Sequence, residues 1–191
     1  MKIFVFIAFS LLFSVFRNQV VPDSDDVCLS GEEKRLYELI NEYRKSKKLE
    51  AIPYSAKLSK VAQTHVRDLT ANYDYYNRGD CNPHSWSTKG QWTSCCYTAD
   101  HKQAQCMWDK PKEIAKYEGA GYEIAYWSSA GADAEEGLEG WKKSAGHNPL
   151  LINSGSWSKL EWKAIGIGIY ESYAVVWFGE TEDKSKIRVC E

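Results

Sequence analysis

Residues 162–180 read WKAIGIGIYESYAVVWFGE, and they carry the strongest indication of the fold class. Its two halves run apolar or alternate apolar with small residues, and only Glu171-Ser172 separates them. Short runs rich in Ile, Val and aromatic residues, joined by a tight turn, are typical of a β-hairpin. We therefore predict two antiparallel strands, over residues 163–170 and 173–179.

The segments that precede this hairpin have the residue spacing of helices. Ser30 and Glu33 form a capping box, and it opens a segment, 30–48, that carries apolar residues at helical spacing. Further helices are predicted over residues 55–72 and 132–144. Helices early in the chain and strands late predict an α+β fold in layers.

The middle of the chain shows no sustained periodicity between residues 73 and 111. A loop of this length within a domain is usually functional or cross-linked, and four cysteines lie in it. We expect a short helix near residues 112–117 to follow. The segment YEIAYW, residues 122–127, is compatible with either a strand or a helix end.

The six cysteines indicate disulfide bonds, since their number is even and an apolar N-terminal segment precedes them. Zinc ligation is the alternative, but the chain has no C-x-x-C pair, and the adjacent Cys95 and Cys96 suit tetrahedral ligation poorly. Spacing alone does not choose among the possible pairings. We expect Cys28 to pair with Cys190 and tie the two ends of the domain. We also expect Cys95 and Cys96 not to pair with each other, because a vicinal bond strains the peptide between them.

The N-terminus predicts export from the cell. Residues 1–16 read MKIFVFIAFSLLFSVF, in which one lysine precedes an apolar run that fits a signal peptide and is short for a membrane span. A buried helix or a short anchor is the alternative. We therefore predict a signal peptide over residues 1–20, a domain over 28–191, a secreted protein, and no stable membrane insertion. The net charge of −2 argues against nucleic acid as a partner.

Four stretches, taken in order, resemble the CAP superfamily of cysteine-rich secretory, antigen 5 and pathogenesis-related class 1 proteins. The first covers residues 36–69, and the second is HSW at 84–86. The third is GYEIA at 121–125, similar to the family's Gly-Glu-Asn-(Ile/Leu)-Ala motif. The fourth is WKKSAGHNPLL at 141–151, which is followed by the strand AIGIGIY at 164–170. This fourth stretch looks closest to bacterial and protist members.

The resemblance implies a three-layer α-β-α sandwich with a central antiparallel sheet. It also implies a central groove in which two histidines and two acids often hold a divalent metal such as zinc. On the resemblance, His84 and His147 are the two histidines and Glu123 is one of the acids. Neutral imidazole and carboxylate both suit zinc, so this assignment is chemically coherent.

One position departs from the family's pattern. Ser144 occupies the place of the second acid, three residues after Trp141. We therefore expect weak zinc binding by the two histidines, falling below about pH 6 because protonated imidazole does not ligate. Ser144 itself is expected to border the groove. Of the other two histidines, His65 is expected to be a structural residue of its helix and His101 an exposed loop residue.

Three functions remain open. The favoured one is a secreted, non-catalytic binding protein, because family members of this type bind sterols, fatty acids or proteins; the partner would be a small hydrophobic ligand or an extracellular protein. The second is a metal-assisted secreted peptidase or other hydrolase. Ser144 lies three residues before His147, as a nucleophile and base on one helical face would, but no acid is placed to orient that histidine. The third is a disulfide-linked structural or toxin-like module. We assign no catalytic residue.

Overall fold

A computed structural model describes residues 27–183 and 185–191 of the chain. The predicted signal peptide, residues 1–20, lies outside these residues. Within them, no helix is both long enough and apolar enough to span a bilayer.

Five helices and three strands make up the regular structure of the described residues. In chain order the helices are α1 (Gly31–Ser46), α2 (Ala56–Asn72), α3 (Ala104–Ala115), α4 (Ala134–Lys143) and α5 (His147–Leu151). The strands are β1 (Gly121–Trp127), β2 (Ala164–Tyr170) and β3 (Tyr173–Gly179).

The three strands form one antiparallel sheet with the order β1-β3-β2. The hairpin predicted over residues 163–179 is confirmed: β2 pairs with β3 from Ala164↔Gly179 to Tyr170↔Tyr173. The turn places Glu171 at φ 49°. Strand β1 pairs with the other side of β3, so residues 122–127 form a strand and not a helix end.

Helices pack on both faces of the sheet, which confirms the α-β-α layers. One apolar cluster joins the sheet to α1, α4 and α5, and it contains Leu36, Ile40, Ile124, Leu138, Trp141, Leu150, Ile167, Val176 and Phe178. A second cluster joins the opposite face to α2 and α3, and it contains Leu58, Val61, Ala62, Leu69, Met107, Ala115, Val175 and Trp177. The capping box of α1 is also present, since Ser30 and Glu33 exchange their hydrogen bonds.

Two glycines of β2 allow α2 to lie directly on the sheet. A Cβ atom built on Gly166 would lie 2.1 Å from the carbonyl carbon of Leu58, and one on Gly168 would lie 2.5 Å from that of Ala62. The main-chain atoms of α2 cannot shift far enough to relieve such contacts, so only glycine permits this close approach of α2 to β2. The close packing holds α2 at a fixed height above the sheet, and α2 carries one of the site residues described below.

Helix α3 differs from the sequence prediction. A loop was predicted up to residue 111 and a short helix near 112–117, whereas α3 begins at Ala104 and contains Pro111. No side chain caps its first turn, and a proline normally indicates a helix boundary, so the sequence signals opposed the observed helix. Burial of Met107, Lys110 and Pro111 against the rest of the domain outweighs them.

Three disulfide bonds use all six cysteines. The predicted Cys28–Cys190 bond is present and joins the two ends of the domain. The other two bonds are Cys81–Cys96 and Cys95–Cys106, so the adjacent cysteines do not pair with each other, as predicted. Both hold the long middle segment, and the second attaches it to α3.

Candidate functional site

The site is built around the carboxylate of Glu123. Strand β1 carries this residue, and its side chain is fully buried, with 0% of its surface exposed. Oε2 accepts a hydrogen bond from Nδ1 of His65 at 2.5 Å, and Oε1 accepts one from Nδ1 of His84 at 2.6 Å. One buried carboxylate therefore holds two imidazoles that come from different parts of the chain.

His65 is held at both ring nitrogens. Its Nε2 lies 2.9 Å from the main-chain oxygen of Ser85, which can only accept, while Nδ1 lies against Glu123. The ring also stacks on Trp86, with centroids 4.0 Å apart and planes 6° from parallel. Two acceptor partners favour protons on both nitrogens, so we assign His65 as an imidazolium paired with the Glu123 carboxylate.

The electrostatics agree with this ion pair. Burial lowers the pKa of His65, but the charge and hydrogen bond of Glu123 outweigh burial and leave the pKa raised. Burial likewise raises the pKa of Glu123, but the charges and hydrogen bonds of His65 and His84 outweigh it and leave the pKa lowered. Both groups therefore favour their charged forms.

His84 connects this buried pair to solvent. Nδ1 of His84 is bound to Glu123, so in the neutral form of the ring the lone pair is on Nε2, on the other side. The side chain is 16% exposed, and its ring lies edge-on to Tyr97, with centroids 5.4 Å apart. The bond Cys81–Cys96 closes the segment that carries His84.

His147 is the first residue of α5, and it lines the same cleft as His84. Burial, with the charge of His84, lowers the pKa of His147 to about 4, so this ring is neutral near pH 7. Its main-chain N–H donates to Oγ of Ser144 at 3.3 Å.

Ser144, which the sequence predicts to border the groove, lies between helices α4 and α5. Helix α4 ends at Lys143, Ser144 is extended with ψ 123°, and α5 begins at His147, so the serine and the histidine do not share one helical face. Its hydroxyl accepts a hydrogen bond from the main-chain N–H of His147, the first residue of α5, and the residues that line the cleft include Gly146 and His147 but not Ser144. The chain leaves the helical conformation at Ser144 itself, which the sequence motif did not show.

The predicted residues His84, Glu123 and His147 line one cleft, of about 560 Å³. Its walls are mainly apolar and aromatic, from Ala104, Met107, Trp108, Tyr122, Ile124, Leu150, Trp157 and Leu160. His101, predicted as an exposed loop residue, is exposed and also lines this cleft, and its Nδ1 lies 3.1 Å from the hydroxyl of Tyr97.

Sequence reasoning missed the part that His65 plays in this network. The stripe on α2 gave it the same spacing as the core residues Val61 and Leu69, and that pattern does not distinguish a packed histidine from one bonded to a carboxylate. The apolar wall around Trp157 was missed as well. Only the family position of Glu123, 58 residues further along, could have suggested a partner for His65.

The nitrogen and oxygen atoms of the site can be compared with the ligands that a divalent metal requires. Both oxygens of Glu123 already accept hydrogen bonds from imidazoles, so the carboxylate supports His84 from behind, as carboxylates often support metal-bound histidines. That leaves Nε2 of His84 and the ring of His147 as ligands. In residues 27–183 and 185–191 no group of three or more His, Cys, Asp or Glu side chains is arranged to hold a metal ion. The described residues of the cleft therefore offer a divalent metal two imidazole nitrogens and no third protein ligand.

Comparison with known protein families agrees with this fold. The family model described as the cysteine-rich secretory protein family, CAP, matches residues 37–177. The chain belongs to this family, as the sequence motifs predicted. No curated protein matches the chain.

Solved structures share the fold at low sequence identity. An extracellular protein containing an SCP domain from Bacillus anthracis str. Ames is 19% identical, with a TM-score of 0.57 over 79% of this chain and 41% of its own. A cysteine-rich secretory protein from Staphylococcus aureus subsp. aureus Mu50 is 18% identical, with a TM-score of 0.50 over 78% of this chain and 39% of its own. The chain thus spans about two fifths of either protein.

A third structure matches over most of its own length. It is an outer surface protein from Borrelia burgdorferi, 21% identical, with a TM-score of 0.50 over 79% of this chain and 93% of its own. At these identities the matches show a common fold.

Proposed function

We propose that the chain is a secreted binding protein that uses the cleft around His84 and His147 to hold a partly apolar ligand, and that it works without catalysis. The observation that carries this proposal is the composition of the cleft. Aromatic and aliphatic side chains form its walls, and histidines lie between them. Clefts of this size with apolar walls and a few polar groups are typical of ligand sites.

Secretion is supported by three features that are independent of one another. The N-terminal sequence resembles a signal peptide, the domain carries three disulfide bonds, and two of the similar structures are named as extracellular or outer surface proteins. Disulfide bonds persist in oxidising compartments, which fits an extracellular location.

The proposal includes weak binding of a divalent metal such as zinc by His84 and His147. When bound, it would supply positive charge to an oxygen of a ligand in the cleft. Glu123 orients His84 by accepting from Nδ1, and His65 holds Glu123 in place. The lowered pKa of His147, about 4, keeps that ring available well below the pH at which the sequence predicted binding to fail.

The experiment is a binding titration of purified mature protein with dodecanoate and with cholesterol, followed by the fluorescence of the tryptophans in the cleft wall. We expect saturable binding to wild type and loss of affinity of tenfold or more in Trp157→Ala. Tyr76→Ala is the matched control, because Tyr76 is exposed and lies outside the cleft. Hydrolysis of casein or ester substrates by wild type, abolished by His84→Ala, would instead establish the hydrolase alternative.

A further inference from the structure

Strand β1 has an open edge, because the sheet order β1-β3-β2 leaves it paired on one side only. The main-chain N–H of Ser128 donates to the oxygen of Ser172 at 3.0 Å, and the pairing continues without a bulge along β1. Because hydrogen-bonded residues alternate along an antiparallel pair, the even-numbered residues of β1 face β3. The N–H and C=O groups of Glu123 and Ala125 therefore point away from the sheet.

Two observations agree with this assignment. Nε1 of Trp141 donates to the oxygen of Ala125 at 3.0 Å, so that carbonyl does point outward and is already satisfied. Glu123 is 4% exposed as a residue, but its side chain is 0% exposed, so the exposed surface belongs to its main chain. Among the described residues, no partner outside the sheet bonds to the N–H or C=O of Glu123.

This free main-chain pair lies in the floor of the cleft. Three consecutive residues, Tyr122, Glu123 and Ile124, line it, although side chains of successive strand residues point to opposite faces. A cleft that touches all three must straddle the edge of the strand. Its two walls come from α3 on one face of the sheet and from α5 and Trp157 on the other.

We propose that the ligand of this cleft is a peptide segment in extended conformation, which adds to the sheet beside β1. The inference rests on the proposed binding function and gives it a ligand class. Two main-chain hydrogen bonds anchor the peptide: Glu123 N–H donates to a peptide carbonyl, and a peptide N–H donates to the Glu123 carbonyl. Addition of a strand to an exposed sheet edge is a common mode of peptide recognition, in which the main chain gives affinity and alternate side chains give specificity.

The walls of the cleft indicate which side chains such a peptide carries. On the face of Glu123, Nδ1 of His84 is bound to the carboxylate and Nε2 accepts when it carries no proton, so a residue with a donor, such as threonine, fits there. On the opposite face Tyr122 packs edge-on against Trp157, at 5.3 Å between centroids, beside Leu150 and Leu160. Apolar residues fit there, and the peptide therefore alternates apolar, donor, apolar.

The test uses acetylated and amidated pentapeptides with threonine at the centre and a different apolar residue type at the two flanking positions in each member of the set. Binding to the full mature protein is followed by NMR, which reads the exchange of individual amide protons. We expect at least one peptide to bind with a dissociation constant of roughly 1 mM or tighter. We expect the Glu123 amide to be protected on binding, while those of Tyr122 and Ile124, already paired to β3, change little.

Methylation of one peptide nitrogen at a time is the matched chemical control. One peptide nitrogen donates to the Glu123 carbonyl, so affinity is expected to fall tenfold or more when that nitrogen is methylated and to stay within threefold when a nitrogen that faces away from the sheet is methylated. Trp157→Ala weakens binding of the best peptide, and Tyr76→Ala does not.

The alternative outcomes separate the inference from the function on which it rests. Dodecanoate or cholesterol bound in the cleft while no pentapeptide binds overturns the inference and leaves the binding function standing. Peptide binding without protection of the Glu123 amide, or with equal tolerance of methylation at every position, also overturns it. If neither peptides nor lipids bind, both proposals fail together.

Discussion

Glu123 and His65 form an ion pair whose two side chains are both fully buried, with 2.5 Å between Oε2 and Nδ1. The pair links β1 to α2 through the interior of the domain, across 58 residues of sequence. Because each charge is taken out of water, each depends on the other for its stability. The site and the stability of the fold are therefore coupled at this contact.

Replacement of Glu123 by glutamine tests that coupling. The amide offers one acceptor where the carboxylate offers two, so an N–H of His65 or of His84 loses its partner, and the charge of His65 is left unpaired. We expect Glu123→Gln to lower the free energy of unfolding by about 3 kcal/mol, measured by urea denaturation near pH 7. Glu42→Gln makes the same chemical change on the exposed surface of α1, and we expect it to stay within about 0.5 kcal/mol of wild type. Equal effects of the two substitutions would show that the buried pair does not hold the fold.

His147 gives the protein a dependence of stability on acid pH. Its pKa is about 4 in the folded protein and about 6.5 in an unfolded chain, so the unfolded state takes up the proton first as the pH falls. Its contribution is therefore fully present above about pH 6.5 and is lost as the pH falls toward 4. After allowance for partial exposure of the ring, we expect about 1–2 kcal/mol from this group.

The measurement is urea denaturation of wild type and of His147→Gln at pH 7 and at pH 5. The variant lacks the titrating ring, so its stability is expected to fall less between these two values than that of wild type. Identical pH slopes would mean that His147 titrates alike in both states, and the buried environment assigned to its ring would be wrong.

The parts of the fold that sequence predicted correctly are those with a regular local pattern. The hairpin of β2 and β3 followed from apolar runs around Glu171-Ser172, and the capping box located the start of α1. Helix α3 was misplaced because its contacts are tertiary: Met107 and Pro111 are buried by distant segments, and no local cap marks the start. Local signals are weak where packing decides the structure.

The site was also predicted in part: its residues follow from sequence motifs, whereas their contacts do not. His84, Glu123 and His147 were predicted from family motifs and do line one cleft. Their roles depend on which atoms face each other, and no motif carries that information. The partnership of His65 with Glu123 arises from convergence in space, and the hydrogen bond of Ser144 to the start of α5 arises from the break between two helices, so both appeared only in the structure.

The disulfide Cys81–Cys96 is expected to position His84 more than it stabilises the core. It closes a segment of 15 residues, for which the chain-entropy model gives about 3 kcal/mol. The paired substitution Cys81→Ser with Cys96→Ser should therefore lower stability by roughly that amount. Because His84 lies inside the closed segment, the exchange of the main-chain amides at 82–86, other than Pro83, which has no N–H, should rise, while amides of β3 remain protected.

The paired substitution Cys28→Ser with Cys190→Ser is the matched control. That bond closes a separation of 162 residues and lies at the ends of the domain, so its removal should cost more stability, by the same model, and leave exchange at 82–86 unchanged. If both pairs raised exchange at 82–86 equally, the local role of Cys81–Cys96 would be refuted.

Zinc binding by the cleft is expected to be weak and to depend on three side chains in two different ways. His84 and His147 supply the ligating nitrogens, so His84→Ala combined with His147→Ala should abolish binding in calorimetry near pH 7. Glu123 supplies no ligand atom but accepts Nδ1–H of His84, so Glu123→Gln should reduce the affinity tenfold or more while the stoichiometry stays the same. Glu42→Gln, the exposed equivalent, should leave the affinity unchanged, and acidification should weaken binding because protons compete for the same nitrogens. Zinc bound by the double histidine variant as tightly as by wild type would place the metal elsewhere and end the metal role of this cleft.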